Sequence, residues 1–169
     1  MTMGFRAACL LACLSMPGAA LSAPRPAPRP APSPATPEPG WTLARAKDAL
    51  NLSYGMPNGA DTIIAFACVP RSGDVTIRLP KVPGKAAVDQ SQPVSLTIGG
   101  VKSSFAGTVI EDQDGEMMLQ VTVPSRTPMF TALAGPGGMR IESKGFNKIV
   151  PLRGIGEKLR QFLAGCRKG

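Results

Sequence analysis

The stretch Phe105-Ala106-Gly107-Thr108-Val109-Ile110-Glu111, Asp112-Gln113-Asp114-Gly115, Glu116-Met117-Met118-Leu119-Gln120-Val121-Thr122-Val123 decides the fold class. Asp114-Gly115 between two runs of strand formers is a strong hairpin signal, because tight turns between antiparallel strands need a positive φ that glycine adopts freely. In the second run Met117, Leu119, Val121 and Val123 occupy alternate positions, so all four share one face of a strand. One face is therefore buried and the other wet.

The same pattern recurs on either side. Ala49 to Tyr54 alternates and stops at Gly55, ahead of the turn-forming Pro57-Asn58-Gly59. Thr62 to Val69 is a continuous apolar run of strand length, and Val75, Ile77 and Leu79 alternate with Thr76 and Arg78. Val94, Leu96 and Ile98 repeat the alternation up to Gly99-Gly100, and Met139–Ser143 with Lys148–Leu152 make a last pair around Gly145. Short strands punctuated by Gly and Pro predict a mainly β domain, an antiparallel sandwich or a barrel-like sheet. Two helices interrupt it. Thr127-Pro128 reads as an N-cap followed by proline at the first helical position, which predicts a short helix near 128–134. Ile155, Leu159, Phe162, Leu163 and Cys166 fall on one helical face and predict a C-terminal helix near 155–167.

Upstream of this domain the composition changes twice. Met1 to Arg6 carries a positive charge, Ala7 to Leu14 is a short apolar run, and small residues follow through Ala23. That order predicts an export signal over residues 1–22, cut before Ala23, with a cut after Ala20 also compatible. Leu10-Leu11-Ala12-Cys13 resembles a lipobox, so a lipoprotein anchored through Cys13 is the alternative. From Pro24 to Pro39 there are eight prolines in sixteen residues and no large apolar side chain. Residues 23–40 therefore read as a linker in polyproline-II conformation, about 3.1 Å per residue. The composition shifts again at Trp41, which sets the expected domain at 41–169. The 169-residue sequence holds no apolar run of membrane-spanning length, so no transmembrane helix is expected. The predicted location is periplasmic or secreted.

Once the signal is gone Cys68 and Cys166 remain, an even count in an oxidising compartment. A bond between them would staple the last helix to the sheet and close a loop of roughly 100 residues, worth up to about 4.7 kcal/mol in the chain-entropy account.

The sequence contains no histidine. This excludes a Ser-His-Asp triad, a Cys-His dyad, His-ligated zinc and an imidazole pH switch. Asp112, Asp114 and Glu116 give the hairpin loop half the pattern of a calcium loop, but the glutamate needed at its twelfth position falls inside a strand. They are a weak metal candidate; a solvated tip is the plainer reading. Gly135-Pro136-Gly137-Gly138 lacks the Lys-Ser/Thr of a phosphate-binding loop, and Gly154-x-Gly156 lacks the third glycine of a dinucleotide site. No catalytic motif and no cofactor site emerges.

From Trp41 onward 16 Lys and Arg stand against 10 Asp and Glu. Lys144, Lys148, Arg153, Lys158, Arg160, Arg167 and Lys168 crowd the C-terminal segment, which favours an anionic partner: an envelope protein or an anionic surface. Nucleic acid is not expected, since the aromatic residues form no basic stacking surface.

Trp41, Leu52-x-Tyr54-Gly55-x-Pro57, Asp61, Phe66-x-Cys68, Pro128-x-Phe130-x-x-Leu133 and Phe162-Leu163-x-x-Cys166 together resemble a loose family of uncharacterised small exported alphaproteobacterial proteins. More distantly the chain is similar to the invasion-associated locus B proteins. The resemblance implies an envelope role without assigned catalysis and brings no functional residues with it. The combined expectation is an exported, non-catalytic binding or accessory module. An inhibitor of a secreted hydrolase and a histidine-independent envelope enzyme are the alternatives.

Overall fold

The computed structural model describes residues 37–80 and 86–168. The expected export signal, the lipobox at Cys13 and nearly all of the linker lie outside the described residues. Nine strands form one continuous sheet: β1 (Gly40–Arg45), β2 (Leu50–Gly55), β3 (Ile64–Cys68), β4 (Asp74–Pro80), β5 (Ser91–Ile98), β6 (Val101–Glu111), β7 (Met117–Pro124), β8 (Gly138–Ser143) and β9 (Phe146–Pro151). Helix α1 (Met129–Leu133) lies between β7 and β8, and α2 (Gly156–Cys166) follows β9. The strand order is β1-β2-β3-β4-β7-β6-β5-β8-β9, and every neighbouring pair is antiparallel. Of the two β architectures open to the sequence, the chain adopts a single sheet curled into a half-barrel.

Period-two alternation positions the core. The register places Leu52 opposite Phe66, Ile77 opposite Val121, Val109 opposite Leu119 and Leu96 opposite Ile141, all fully or almost fully buried. Curling crowds the concave side, and Gly107 on the long β6 supplies the room. A Cβ there would lie 2.8 Å from Leu119 Cδ1 and 3.1 Å from Val121 Cγ2. The two edge strands come together at one point, where the Trp41 indole on β1 donates a hydrogen bond to the Pro151 carbonyl on β9 at 2.8 Å. Trp41 also stacks on Phe66 at 6.2 Å between centroids, and Phe66 meets Phe130 of α1 edge-on at 6.1 Å. This aromatic row runs from an edge strand, through the sheet, to a helix.

The helices follow the sequence reading with one correction. Thr127 does not cap α1. Its hydroxyl turns back to the Pro124 carbonyl at 2.6 Å, and Pro128 holds the cap position without a side-chain bond. The upstream carbonyl is the nearer acceptor, and it spends the hydroxyl on the β7-to-α1 turn. Met129, Phe130 and Leu133 of α1 are buried, as are Leu159, Phe162, Leu163 and Cys166 of α2. Cys68 at the end of β3 is bonded to Cys166 in the last turn of α2, across a sequence separation of 98. Strand β1 is an addition: the sequence reading began the domain at Trp41 without recognising a strand there.

Two outcomes test this packing. Cys68→Ser and Cys166→Ser are each expected to lose about 2–5 kcal/mol in denaturant unfolding, and the double variant no more than either single one. Additive losses would contradict a shared bond. Trp41→Phe keeps most of the apolar contact but removes the donor to Pro151, so it should cost about 1 kcal/mol and speed amide exchange along β1 ahead of β2. Unchanged exchange at the β1 amides would show that the edge contact carries no stability.

Candidate anion-binding end

Because the strands alternate in direction, the connections divide between the two ends of the half-barrel. Segments 46–49, 69–73, 99–100 and 125–137, together with α2, lie at one end; segments 56–63, 86–90, 112–116 and 144–145 lie at the other. The charges divide with them. At the helical end Arg45, Lys47, Arg71, Lys102, Arg126 and Arg140 come from strands and turns, and Arg153, Lys158, Arg160, Arg167 and Lys168 from the segment around α2. Only Asp48, Asp74 and Glu157 oppose them there. The opposite end carries Glu38, Asp61, Asp89, Glu111, Asp112, Asp114, Glu116 and Glu142 against Arg78, Lys144 and Lys148. Among the described residues the molecule is therefore an electrical dipole along the barrel, and the basic pole coincides with the helices.

This corrects the sequence reading of the basic C-terminal segment. Lys144 and Lys148 belong to the β8–β9 hairpin and sit at the acidic end, while Arg45, Arg71 and Arg126 join the basic end from distant parts of the chain. No local signal could have shown this, since the grouping depends on which strands pair.

Among the described residues, clefts open at the basic end. A groove of about 330 Å³ runs between α1 and α2, with Phe130, Leu159 and Leu163 in its wall and Arg126, Arg160 and Arg167 beside them. Arg160 is already engaged there. Its Nε donates to Glu157 Oε2 at 3.0 Å and its Nη2 to both carboxylate oxygens at 2.7 Å. Hydrogen bonds from Arg160 and then Gln161 hold the Glu157 carboxyl below its ordinary pKa, and the same bond pushes the Arg160 guanidinium above its own. The pair is solvent-exposed and adds little stability.

The second cleft, about 560 Å³, is lined by Arg45, Arg71 and Arg167 with Leu50, Pro70, Ala164 and Gly165. Its floor is fixed by main chain. The Arg71 N–H donates to the Gly165 carbonyl at 2.8 Å and the Gly73 N–H to the Cys166 carbonyl at 2.9 Å, so the β3–β4 turn satisfies the open carbonyls at the end of α2. Arg71 adopts φ +60° to do so, and Gly73 φ +86°. Among the described residues none of the three arginines of this cleft makes an ion pair.

The acidic hairpin tip is organised by its own backbone. Asp112 Oδ1 accepts the Asp114 N–H at 2.9 Å and the Glu116 N–H at 2.8 Å, which makes it a turn-forming acceptor. Among the described residues no group of three or more His, Cys, Asp or Glu side chains is gathered as a metal would require. The buried polar side chains among them are Gln92 and Ser125. An apolar niche at the acidic end, about 370 Å³, is bounded by Pro39, Met56, Ile63, Pro80 and Phe146 with Asp61 and Lys148 at its edge. No described helix is long and apolar enough to cross a membrane.

No protein-family model matches the chain, and no curated protein matches it. Among solved structures, the crystal structure of invasion associated protein B from Bartonella henselae matches with a TM-score of 0.49 and 16% identity, over 73% of this chain and 92% of that one. At that identity and score, nothing about the function of this chain follows from the likeness.

Proposed function

We propose that the protein is an exported cell-envelope module that binds, rather than transforms, an anionic partner through the helical end of the half-barrel. The observation that carries this reading is the segregation of charge: among the described residues eleven cations face three acids at that end, and three cations face eight acids at the other. A field so divided orients the molecule as it approaches an anionic surface and accelerates encounter. The proline-rich composition ahead of Trp41 supports a spacer role for that segment. The export signal accounts for the two cysteines being used as a disulfide.

Sedimentation with vesicles tests the binding face. Mixed phosphatidylcholine–phosphatidylglycerol vesicles should retain the protein at about 0.05 M salt and release it by about 0.5 M, where screening is severe. The double reversal Arg126→Glu with Lys158→Glu should weaken retention at least about tenfold, and Asp114→Lys with Glu116→Lys should not weaken it. Equal retention on pure phosphatidylcholine would overturn the reading.

A non-reducing intact mass of protein recovered from the native cell tests export. It should begin at Ala23 or Leu21 and fall short of the reduced mass by two hydrogens. A mass beginning at Cys13 with acyl chains would identify a lipoprotein, and an unprocessed chain with free thiols would end the envelope assignment.

A further inference from the structure

We infer that the cleft at the carboxyl end of α2, lined by Arg45, Arg71 and Arg167, is a binding site for a phosphate group. The inference deepens the proposed function by naming the ligand chemistry at the basic end.

The first observation is electrostatic. Three arginines line one cleft and none of them makes an ion pair among the described residues, whereas Arg160 on the same helical end is paired with Glu157. Like charges gathered without a counterion repel one another, and an arriving anion removes that repulsion. Arginine presents a planar fork that matches phosphate oxygens two at a time. Three cations around one cleft balance a dianionic phosphate better than a single carboxylate.

The second observation is conformational and independent of charge. Arg71 lies at φ +60°, a region where a long L side chain is uncommon and glycine is at ease. The backbone needs this conformation so that the Arg71 N–H reaches the Gly165 carbonyl. It does not need the side chain: Gly73, two residues on, does the same for Cys166 at φ +86°. Folding thus gives no reason for an arginine at this position, and ligand binding supplies one. Its two companions come from the end of β1 and the end of α2, so three separate elements converge on the cleft. Leu50, Pro70 and Ala164 line the rest of a space of about 560 Å³, which leaves room beyond a bare phosphate for the group it is esterified to.

The test uses the mature chain at fixed ionic strength, titrated with inorganic phosphate, with glycerol 3-phosphate, and with phosphatidylcholine vesicles containing phosphatidic acid. Arginine Nε–H and backbone amide NMR shifts report the soluble ligands, and sedimentation reports the vesicles. Saturable shifts at Arg71, Gly73 and Arg167 are expected. Arg71→Gly and Arg45→Gln should each lose affinity by at least about tenfold, while Arg153→Gln, at the same end but outside the cleft, stays within about twofold. Arg71→Gly should melt no lower than the parent, which separates lost binding from lost folding; Arg45→Gln serves should that variant misfold. Saturation by the soluble phosphates identifies a free phosphoester as the source. Binding confined to phosphatidic acid vesicles, with the same order of variants, identifies a lipid headgroup. An equal loss in Arg153→Gln would overturn the site and leave only diffuse attraction at the basic end. Saturation at the cleft with no preference for anionic vesicles would keep the site and discard the surface-binding reading.

Discussion

Every described strand contributes apolar side chains to the inner face of the sheet, from Trp41 on β1 to Val150 on β9, and the structure depends on covering it. A flat sheet of that width would leave the whole face in water, at about 25 cal/mol for each Å² of apolar surface left uncovered. Curling turns the face inward. The missing side chain of Gly107 leaves room for Leu119 and Val121, and the Trp41–Pro151 hydrogen bond ties the two edges where they meet. Helices α1 and α2 fill the end that curling leaves open, with Phe130 against Phe66 and α2 against β1 and β2. Burial dictates the helices' positions; the charges of α2 are then carried outward by default.

The elements were legible because each has a local cause. Alternation marks β4, β5 and β7, Asp114-Gly115 marks the β6–β7 hairpin, and the one-sided apolar spacing marks α2 to within a residue at each end. Strand β1 was not legible. It presents only Trp41 and Leu43 inward, it is an edge strand, and it adjoins the proline-rich segment, so its period-two signal is two residues long. The strand order was also out of reach. β4 pairs with β7 and β5 with β8 through contacts far apart in sequence, and any alternating strand has a face suited to any other.

The basic end inherits that second difficulty. A run of cations along the chain became two groups in space, because the β8–β9 hairpin turns Lys144 and Lys148 to the acidic pole. Arg45, Arg71 and Arg167 are 26 and 96 residues apart in sequence by their numbers, and only the topology brings them to one cleft. The disulfide was legible for a simpler reason: from Trp41 onward the sequence has two cysteines, both on apolar faces, and they have one possible pairing.

The disulfide and the arginine cleft are parts of one construction. Cys166 immediately precedes Arg167, and Cys68 lies three residues before Arg71, so the bond holds together the two segments that carry those arginines. The main chain repeats the connection, with Arg71 and Gly73 donating to the Gly165 and Cys166 carbonyls and Ser125 donating to Gly73 at 2.8 Å. A helix end otherwise frays, since its last carbonyls have no partners within the helix. Here covalent and hydrogen-bonded ties pin that end to the β3–β4 turn. The segments that carry Arg71 and Arg167 are therefore held side by side by main chain and disulfide together. A pinned helix end keeps the backbone of both segments in place, so whatever approaches this cleft meets main chain that need not first be ordered.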